Sequence, residues 1–262
     1  MTIIITGTSA GIGLALAEYF GKNGHQVYGL SRKNTESDFF KTIPTDITEH
    51  SQIENAIAEI LKKEKRIDLL INNAGMGMVG AVEDSKKEEI LKLFNLNLVG
   101  AVQMMSGVLP KMREQKAGQI INISSIGSEM GLPFRGFYSA SKSALDKVTE
   151  AIRYEVSPWN VEVCTLHLGD IKTKIAENRV KTEVSEPYKK TFEKVYALMN
   201  SHVDDGSEPA EVAEYIEKLL EKKTWKAHYY FGKFGQKIGV PLKWILPQNF
   251  YENLMKKYNK MD

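Results

Sequence analysis

Short apolar runs rich in β-branched residues alternate with longer amphipathic stretches along most of this chain. The first run, Thr2–Thr6, is followed by apolar residues at helical spacing from Ile12 to Phe20. The same order recurs up to Leu168 and includes a predicted long helix from Lys86 to Arg113. Strands that are apolar along their whole length and are separated by helices form parallel sheets covered on both faces. We therefore predict an α/β fold with a Rossmann-like, doubly wound parallel sheet.

The 262 residues are predicted to form one domain, because this length lies near the limit of a single hydrophobic core. The alternation of strands and helices breaks after Gly169. Residues 170–207 are polar and of mixed charge, with no predicted strand, and we interpret them as a substrate-loop insertion beside the sheet. A helix from Pro209 to Lys223 and a strand from Ala227 to Phe231 restore the pattern, and a basic, aromatic tail occupies residues 235–262.

Composition restricts the function classes. Lys and Arg number 35 against 33 Asp and Glu, so the charge balance gives no reason to expect a nucleic-acid partner. The one cysteine, Cys164, allows no intrachain disulfide, and the dispersed histidines indicate no metal site. The N-terminus lacks the pattern of a signal peptide, and no stretch approaches ~20 consecutive apolar residues. We expect a cytoplasmic protein that uses no metal.

A glycine-rich turn joins the first predicted strand to the first predicted helix. Residues Thr6–Gly13 read TGTSAGIG. At such a turn, backbone N–H groups and the helix N-terminus can face a pyrophosphate, which favours a dinucleotide ligand. The spacing differs from G-x-G-x-x-G, and the alternative is that these glycines serve only a tight turn.

The next strand ends in residues that bear on the choice of dinucleotide. Leu30-Ser31-Arg32-Lys33 stands where an NAD enzyme would place a carboxylate against the ribose hydroxyl. Ser31 and Arg32 could instead donate hydrogen bonds to a 2′-phosphate, so the sequence favours NADP over NAD. The alternative is that Arg32 and Lys33 are solvated loop residues.

Three polar residues could together move a proton. Ser125 ends a predicted strand, and Tyr138 and Lys142 lie four residues apart on one face of the following helix. An ammonium near a phenol favours the phenolate and lowers the phenol pKa toward the working pH. The Ser125 hydroxyl could hold a substrate oxygen while Tyr138 exchanges a proton with it.

With these motifs in this order, the chain resembles the short-chain dehydrogenase/reductase family. The resemblance rests on the glycine-rich turn, on Asn72–Gly75 (NNAG), on Asn97–Gly100 (NLVG), and on the Ser, Tyr and Lys residues, and it extends to about Thr173. It implies an oxidoreductase that interconverts an alcohol and a ketone or aldehyde with a nicotinamide cofactor.

The resemblance also implies roles for four catalytic residues. Tyr138 is then the acid/base, and Lys142 binds the nicotinamide ribose and depresses the pKa of Tyr138. Ser125 positions the carbonyl, and Asn97 holds a water that relays protons. The alternative is an NADP-binding sensor or scaffold without turnover, but such a protein would be expected to have lost Ser125, Tyr138 or Lys142, and all three are present.

The predicted cofactor contacts come from the turn, the strand end and the resemblance. They are Gly7, Ser9, Gly11, Ile12, Gly13, Ser31, Arg32, Asp46, Ile47, Asn73, Ala74, Gly75, Tyr138, Lys142, Ile171 and Thr173. Two positions depart from the family pattern. Leu168-Gly169 stands where members commonly have Pro-Gly, which affects the path of the nicotinamide loop. Ala10 stands where many NADP-preferring members have a basic residue, which leaves Arg32 to hold the phosphate.

Apolar residues surround the predicted cleft and indicate a hydrophobic small-molecule substrate. They are Met76, Met78, Val79, Met130, Leu132, Phe134 and Phe137. The alternative is that they only anchor loops. His167 lies near a strand end beside the site, and we expect a packed core histidine without a catalytic role.

The tail mixes bulky apolar groups with lysines between Lys237 and Pro247. Such a segment can lie on a membrane surface, or it can cover the cleft or a subunit interface. We favour the packed arrangements, because Pro241 and Pro247 should break a continuous amphipathic helix. We expect Trp244 and its neighbours to be covered, and the resemblance implies a homodimer or homotetramer.

Overall fold

Seven parallel strands form the central sheet in a computed structural model of the chain, which describes residues 1–173 and 179–261. In their order across the sheet, the strands are β3 (Lys41–Pro44), β2 (Gln26–Ser31), β1 (Thr2–Thr6), β4 (Leu69–Asn72), β6 (Gly118–Ser125), β7 (Val161–Leu168) and β9 (His228–Phe231). The strand order reverses between β1 and β4, which is the doubly wound arrangement. The predicted Rossmann-like parallel sheet is confirmed.

Helices cover both faces of this sheet. In chain order they are α1 (Gly11–Lys22), α2 (His50–Lys63), α3 (Lys87–Phe94), α4 (Ala101–Gln115), α5 (Gly136–Val156), α6 (Glu186–Asp204), α7 (Pro209–Leu220), α8 (Phe234–Ile245) and α9 (Gln248–Tyr258). Successive residues of a strand point to opposite faces. Ile3 and Ile5 accordingly pack with α1 and α7, whereas Ile4 packs with α2 and α4.

The long helix predicted from Lys86 to Arg113 is not a single α-helix. A π-helical stretch, Asn95–Gly100, separates α3 from α4. Within it, Asn97 Oδ1 accepts from the N–H of Met76 at 2.8 Å, and Asn97 Nδ2 donates to the carbonyl of Met76 at 3.0 Å. The wider turn coincides with these bonds, which tie the helix to the loop after β4.

Residues Lys87–Gln115 are also long and apolar enough, by length and composition alone, to suit a membrane span. In this fold the second part of that stretch lies on the sheet. Met104, Val108 and Met112 of α4 are fully buried against it. The apolar residues of α4 therefore belong to the hydrophobic core.

The insertion at residues 170–207 contains a short strand, contrary to the prediction. β8 (Val180–Lys181) pairs in parallel with β5 (Met78–Val79), and Val180 N–H donates to Gly77 O at 2.9 Å. Two residues are too few for a periodic pattern, which is why the sequence did not show it. Residues 174–178 of the insertion lie outside the described part of the chain.

The tail forms two helices, and the prediction that Pro241 breaks a helix was wrong. Pro241 lies inside α8, whereas Pro247 separates α8 from α9. The expected covering of the tail's apolar cluster is not achieved within one chain, because Trp244 is 77% exposed and Ile245 is 74% exposed.

Candidate active site

A cleft of 1370 Å³ opens at the carboxyl ends of the parallel strands, where the strand order reverses. Residues at or just after the ends of β1, β2, β4, β6 and β7 line it. Ligands bind in this position in open α/β sheets because the loops diverge there. The helices α6, α8 and α9 also contribute to its wall.

The glycine-rich turn lies at one end of the cleft and is held by the loop after β4. Thr6 Oγ1 accepts from the N–H groups of Asn73 and Ala74 at 3.0 and 2.9 Å. Gly7 has φ +77°, and a Cβ there would lie 2.9 Å from Ala74 Cα, so this position requires glycine. The cap residue of α1 is Ala10, whose side chain offers no acceptor. The N-terminus of α1 therefore faces the cleft with backbone donors, which fits a pyrophosphate.

The predicted cofactor contacts line the cleft with the exception of Gly13. A Cβ at Gly13 would lie 2.3 Å from the carbonyl oxygen of Gly7. This third glycine therefore lets α1 pack closely on the turn, and its role as a cofactor contact stays a prediction.

The residues predicted to select the cofactor lie together at the end of β2. Ser31 is buried, and its hydroxyl donates to the carbonyl of Lys33 at 2.7 Å. Its proton is engaged in this structure, and the hydrogen bond from Ser31 to a 2′-phosphate stays a prediction. Arg32 is exposed at the cleft and forms no ion pair with a described residue. Nearby, Asp46 is fixed because its carboxylate accepts from the backbone and hydroxyl of Thr48 at 3.0 and 2.7 Å.

Ser125, Tyr138 and Lys142 line the same part of the cleft. Ser125 ends β6, and its Oγ accepts from Gly127 N–H at 3.0 Å, which leaves the hydroxyl proton for another acceptor. Lys142 is buried, and its Nζ donates to the carbonyl of Ile123 at 2.8 Å. Burial lowers the pKa of Lys142 to about 8, although the carboxylate of Asp146 opposes this change.

Burial raises the pKa of the Tyr138 phenol, and three neighbours oppose this shift. The Ser125 hydroxyl has the largest lowering effect on that pKa, followed by the charges of Arg135 and Arg179. The resemblance assigned this electrostatic role to Lys142. Two guanidinium groups, which the sequence analysis missed, lie where they also favour the phenolate, and the effect of Lys142 on this pKa stays a prediction.

Asn97 does not line the cleft as the other three catalytic candidates do. Its side chain is buried and bonded to Met76, and its Nδ2 also donates to Ser141 Oγ at 3.1 Å. These bonds fix the loop before β5 against α5. A water held by Asn97 remains a prediction.

Arg135 and Arg179, which the sequence analysis missed, differ in whether a sequence signal could have identified them. Arg135 caps α5 three residues before Tyr138, so its position at the start of that helix could have indicated it. Arg179 precedes β8 in the insertion, far from the other site residues in sequence, and no motif marks it.

Most of the predicted apolar wall is present, with Met76, Met78, Val79, Met130 and Leu132 lining the cleft. Phe134 and Phe137 are not part of it, and Phe134 packs edge-on against Phe192 with ring centroids 5.3 Å apart. The sequence analysis missed the apolar residues that α6, α8 and α9 supply. They are Met199, Val203, Ile238, Leu242, Leu254 and Met255.

His167 is fully buried behind Ser125, as expected for a packed histidine. Its ring stacks on Tyr230 and bonds to Ser128 Oγ at 3.1 Å. Burial lowers its pKa. Within residues 1–173 and 179–261, no group of three or more His, Cys, Asp or Glu residues could hold a metal ion.

Comparison with known proteins agrees with this geometry. The sequence profile described as short chain dehydrogenase matches residues 1–184. The chain belongs to the short-chain dehydrogenase family. It is therefore an oxidoreductase of the dehydrogenase/reductase class.

Similar short-chain dehydrogenases cover nearly the whole chain. A 3-ketodihydrosphingosine reductase from Bacteroides thetaiotaomicron is 36% identical over 258 residues, which cover 97% of this chain and 96% of that protein. A probable short-chain type dehydrogenase/reductase, VdlC, from Helicobacter pylori is 32% identical over 266 residues, with coverage of 97% and 96%.

Two solved structures share the architecture. One from Streptomyces avermitilis has a TM-score of 0.85 at 26% identity and covers 100% of this chain and 99% of its own. The structure of ElxO with NADP bound has a TM-score of 0.72 at 26% identity, and the match covers 87% of this chain and 94% of ElxO.

Proposed function

We propose that this short-chain dehydrogenase uses NADP to interconvert an alcohol and a ketone or aldehyde of a hydrophobic small molecule. The observation that carries the proposal is the joint placement of Ser125 and Tyr138 in an apolar cleft beside the open N-terminus of α1. The names of relatives support it, since one reduces 3-ketodihydrosphingosine and another structure holds NADP.

The residues of the chain fit the two halves of such a reaction. A bound nicotinamide would supply the hydride to the carbonyl carbon, or accept it from the alcohol carbon in the reverse direction. In reduction, the Tyr138 hydroxyl gives its proton to the substrate oxygen, and the Ser125 hydroxyl donates a hydrogen bond to the same oxygen. In oxidation, the Tyr138 phenolate takes the proton from the alcohol.

Two positively charged residues of the cleft are suited to hold the cofactor. Lys142 presents a buried ammonium whose pKa of about 8 leaves it charged at neutral pH. From this position it is suited to hydrogen-bond a ribose hydroxyl of the cofactor. Arg32, exposed at the end of β2, is suited to hold the 2′-phosphate, which supports NADP over NAD. We also propose a cytoplasmic location and assembly as a homodimer or homotetramer.

Substitution of Tyr138 by Phe tests this function. Because Phe keeps the ring and removes the exchangeable proton, we expect turnover to fall by about 10²- to 10⁴-fold or more. The affinity for NADPH should change little. Turnover is measured by NADPH absorbance with a panel of aldehydes, ketones and sterols, and cofactor affinity by equilibrium titration.

Tyr154→Phe is the matched control, because Tyr154 lies on the same helix but is 78% exposed. It should retain wild-type rates. Full activity of the Tyr138→Phe variant would contradict the proposed mechanism. NADPH binding by the wild type, without oxidation of NADPH by any carbonyl compound of the panel, would favour the sensor or scaffold alternative.

A further inference from the structure

Arg135 is a half-buried cation in the cleft beside Tyr138, and its Nε atom is enclosed without a hydrogen-bond partner among residues 1–173 and 179–261. In the same described part of the chain, no carboxylate forms an ion pair with it. Enclosing a guanidinium is costly unless an anion or a hydrogen-bond acceptor joins it. The position of Arg135 therefore calls for a ligand.

Arg179 reaches the same region from the insertion, just before β8, and is held in place by its neighbours. Its Nη1 donates to Asn200 Oδ1 of α6 at 2.9 Å. Its stem crosses Gly77, where a Cβ would lie 2.8 Å from Arg179 Cγ. Burial lowers the pKa of Arg179, while the nearby Tyr138 and Asp170 oppose this effect. Gly77 makes room for the aliphatic part of Arg179, and the Asn200 amide orients its guanidinium group, so the side chain is held in a defined position.

The charges around these two residues leave an excess of positive charge beside Tyr138. The one carboxylate that acts on both guanidinium groups is that of Asp170, among the described residues. Asp170 accepts a hydrogen bond from Gln236 of α8 and forms an ion pair with neither arginine. Two guanidinium groups therefore lie near one carboxylate that is hydrogen-bonded to Gln236, and the residues of α6, α8 and α9 that line the cleft include apolar side chains together with His202 and Tyr258.

We propose that Arg135 and Arg179 bind an acidic group of the substrate, a carboxylate or a phosphate, close to the carbonyl that is reduced. Because planar guanidinium groups pair with both anions, this chemistry suits either head group. Taken with the apolar walls from α6, α8 and α9, it defines the substrate class as a hydrophobic carbonyl compound with an acidic head. The inference rests on the proposed function for the reaction, but anion binding itself does not require turnover.

Equilibrium binding to the wild-type protein in the presence of NADPH tests the inference. The probes are dodecanoate, dodecyl phosphate and methyl dodecanoate, which share a long apolar chain and differ in the charge of the head. We expect the acid or the phosphate to bind about ten- to a hundredfold more tightly than the ester, as for a charge-assisted contact. The relative affinity of the two anions identifies the preferred head group.

Substitutions of Arg135 and Arg179 test whether these residues cause the preference for the anionic probes over the ester. Arg135→Gln and Arg179→Gln should each reduce the ratio of anion to ester affinity by about tenfold or more, and Arg135→Lys should keep part of it. Lys181→Gln is the matched control, because it removes a neighbouring positive charge that lies over the rings of Phe192 and Tyr196 outside the cleft. It should leave the ratio unchanged.

Three results of the binding experiments would overturn the inference. Equal binding of the acids and the ester would show that no anion site exists. If the arginine variants lost affinity equally for all three probes, the role of the arginines would be structural. If they lost affinity only for NADPH, the arginines would serve the cofactor.

Kinetics separates this inference from the proposed function. If the enzyme reduces ketones, kcat/KM should be higher for 4-oxododecanoate than for its methyl ester, and a matched aminoketone should be the poorest substrate. Preference for the aminoketone would mean that Asp170 selects a cation and would overturn the inference. Absence of NADPH oxidation by every ketone would refute the proposed function, while the binding experiment would still decide the anion site.

Discussion

At the scale of one residue, burial of the Lys142 ammonium in the cleft lowers the stability of the fold. Its buried ammonium has a pKa lowered by burial to about 8, from 10.5 in the unfolded chain. The unfolded state therefore binds more protons between these values, so stability rises with pH over that window and the cost of burial is fully present below about pH 8.

We predict that Lys142→Met removes this pH-dependent gain. From about pH 8 to about pH 10.5, the wild type should gain up to about 3 kcal/mol in unfolding free energy relative to the variant. Urea unfolding across that range measures the difference, and Lys62→Met on the exposed side of α2 is the control. Parallel profiles for wild type and variant would contradict the prediction. The variant should also lose activity, because the ammonium lies in the active site.

At the same scale, Arg32 is the residue that we propose selects NADP. It lies exposed at the cleft, while the hydroxyl of Ser31 is engaged with Lys33, so the proposed phosphate contact depends mainly on one guanidinium. We predict that Arg32→Asp weakens NADPH binding by about ten- to a hundredfold and favours NADH, because a charge-assisted bond is replaced by repulsion. Titration with both cofactors measures this. Tighter binding of NADH than NADPH by the wild type would contradict the assignment.

At the scale of elements, the contact between α1 and the glycine-rich turn depends on Gly13. A Cβ there would meet the Gly7 carbonyl oxygen at 2.3 Å, and the backbone of the turn cannot move away without losing its bonds to Asn73. We predict that Gly13→Ala lowers the unfolding free energy by about 1–3 kcal/mol even without cofactor. Thermal or urea unfolding checks this prediction.

Gly131→Ala is the matched control, because nothing lies within 4 Å of a Cβ at that position. It should leave stability nearly unchanged. If Gly13→Ala retained wild-type stability and lost only cofactor affinity, the earlier interpretation of Gly13 as a binding residue would be correct.

Elements with a strong local pattern could be predicted, and elements defined by distant contacts could not. Strand β1 was predictable because Thr2–Thr6 is apolar and β-branched and is followed by glycines at a strand-to-helix turn. The π-helical stretch was not, because the apolar spacing continues across it and its bonds to Met76 are tertiary. The same holds for β8 and for Arg179, whose position depends on Gly77.

At the scale of the whole molecule, the cleft is completed by parts of the chain that are far apart in sequence. The tail crosses back to the loop after β6, where Lys243 Nζ donates to the carbonyl of Glu129 at 2.6 Å and the Tyr251 hydroxyl bonds to Met130 Sδ at 3.3 Å. Tyr251 is buried there. The family motifs supply the proposed catalytic residues, whereas the insertion and the tail supply other parts of the cleft wall.

The tail also leaves an apolar surface that a second copy of the chain could cover. Trp244 and Ile245 of α8 are 77% and 74% exposed, and Phe250 of α9 is 60% exposed. Burying each such side chain contributes about 1.5–3 kcal/mol, which favours an interface at this place. Substitutions on this surface of α8 and α9 can therefore test the proposed homo-oligomer.

We predict that the double substitution Trp244→Gln and Ile245→Gln weakens self-association by roughly a hundredfold or more, because two buried apolar groups are lost from each copy. Light scattering during size-exclusion chromatography over a range of concentrations measures the change. Tyr154→Gln, at 78% exposure on α5, is a control of matched exposure. An unchanged oligomeric state would contradict the prediction. If binding to anionic vesicles were lost instead, the lysines and apolar groups of the tail would serve a membrane surface.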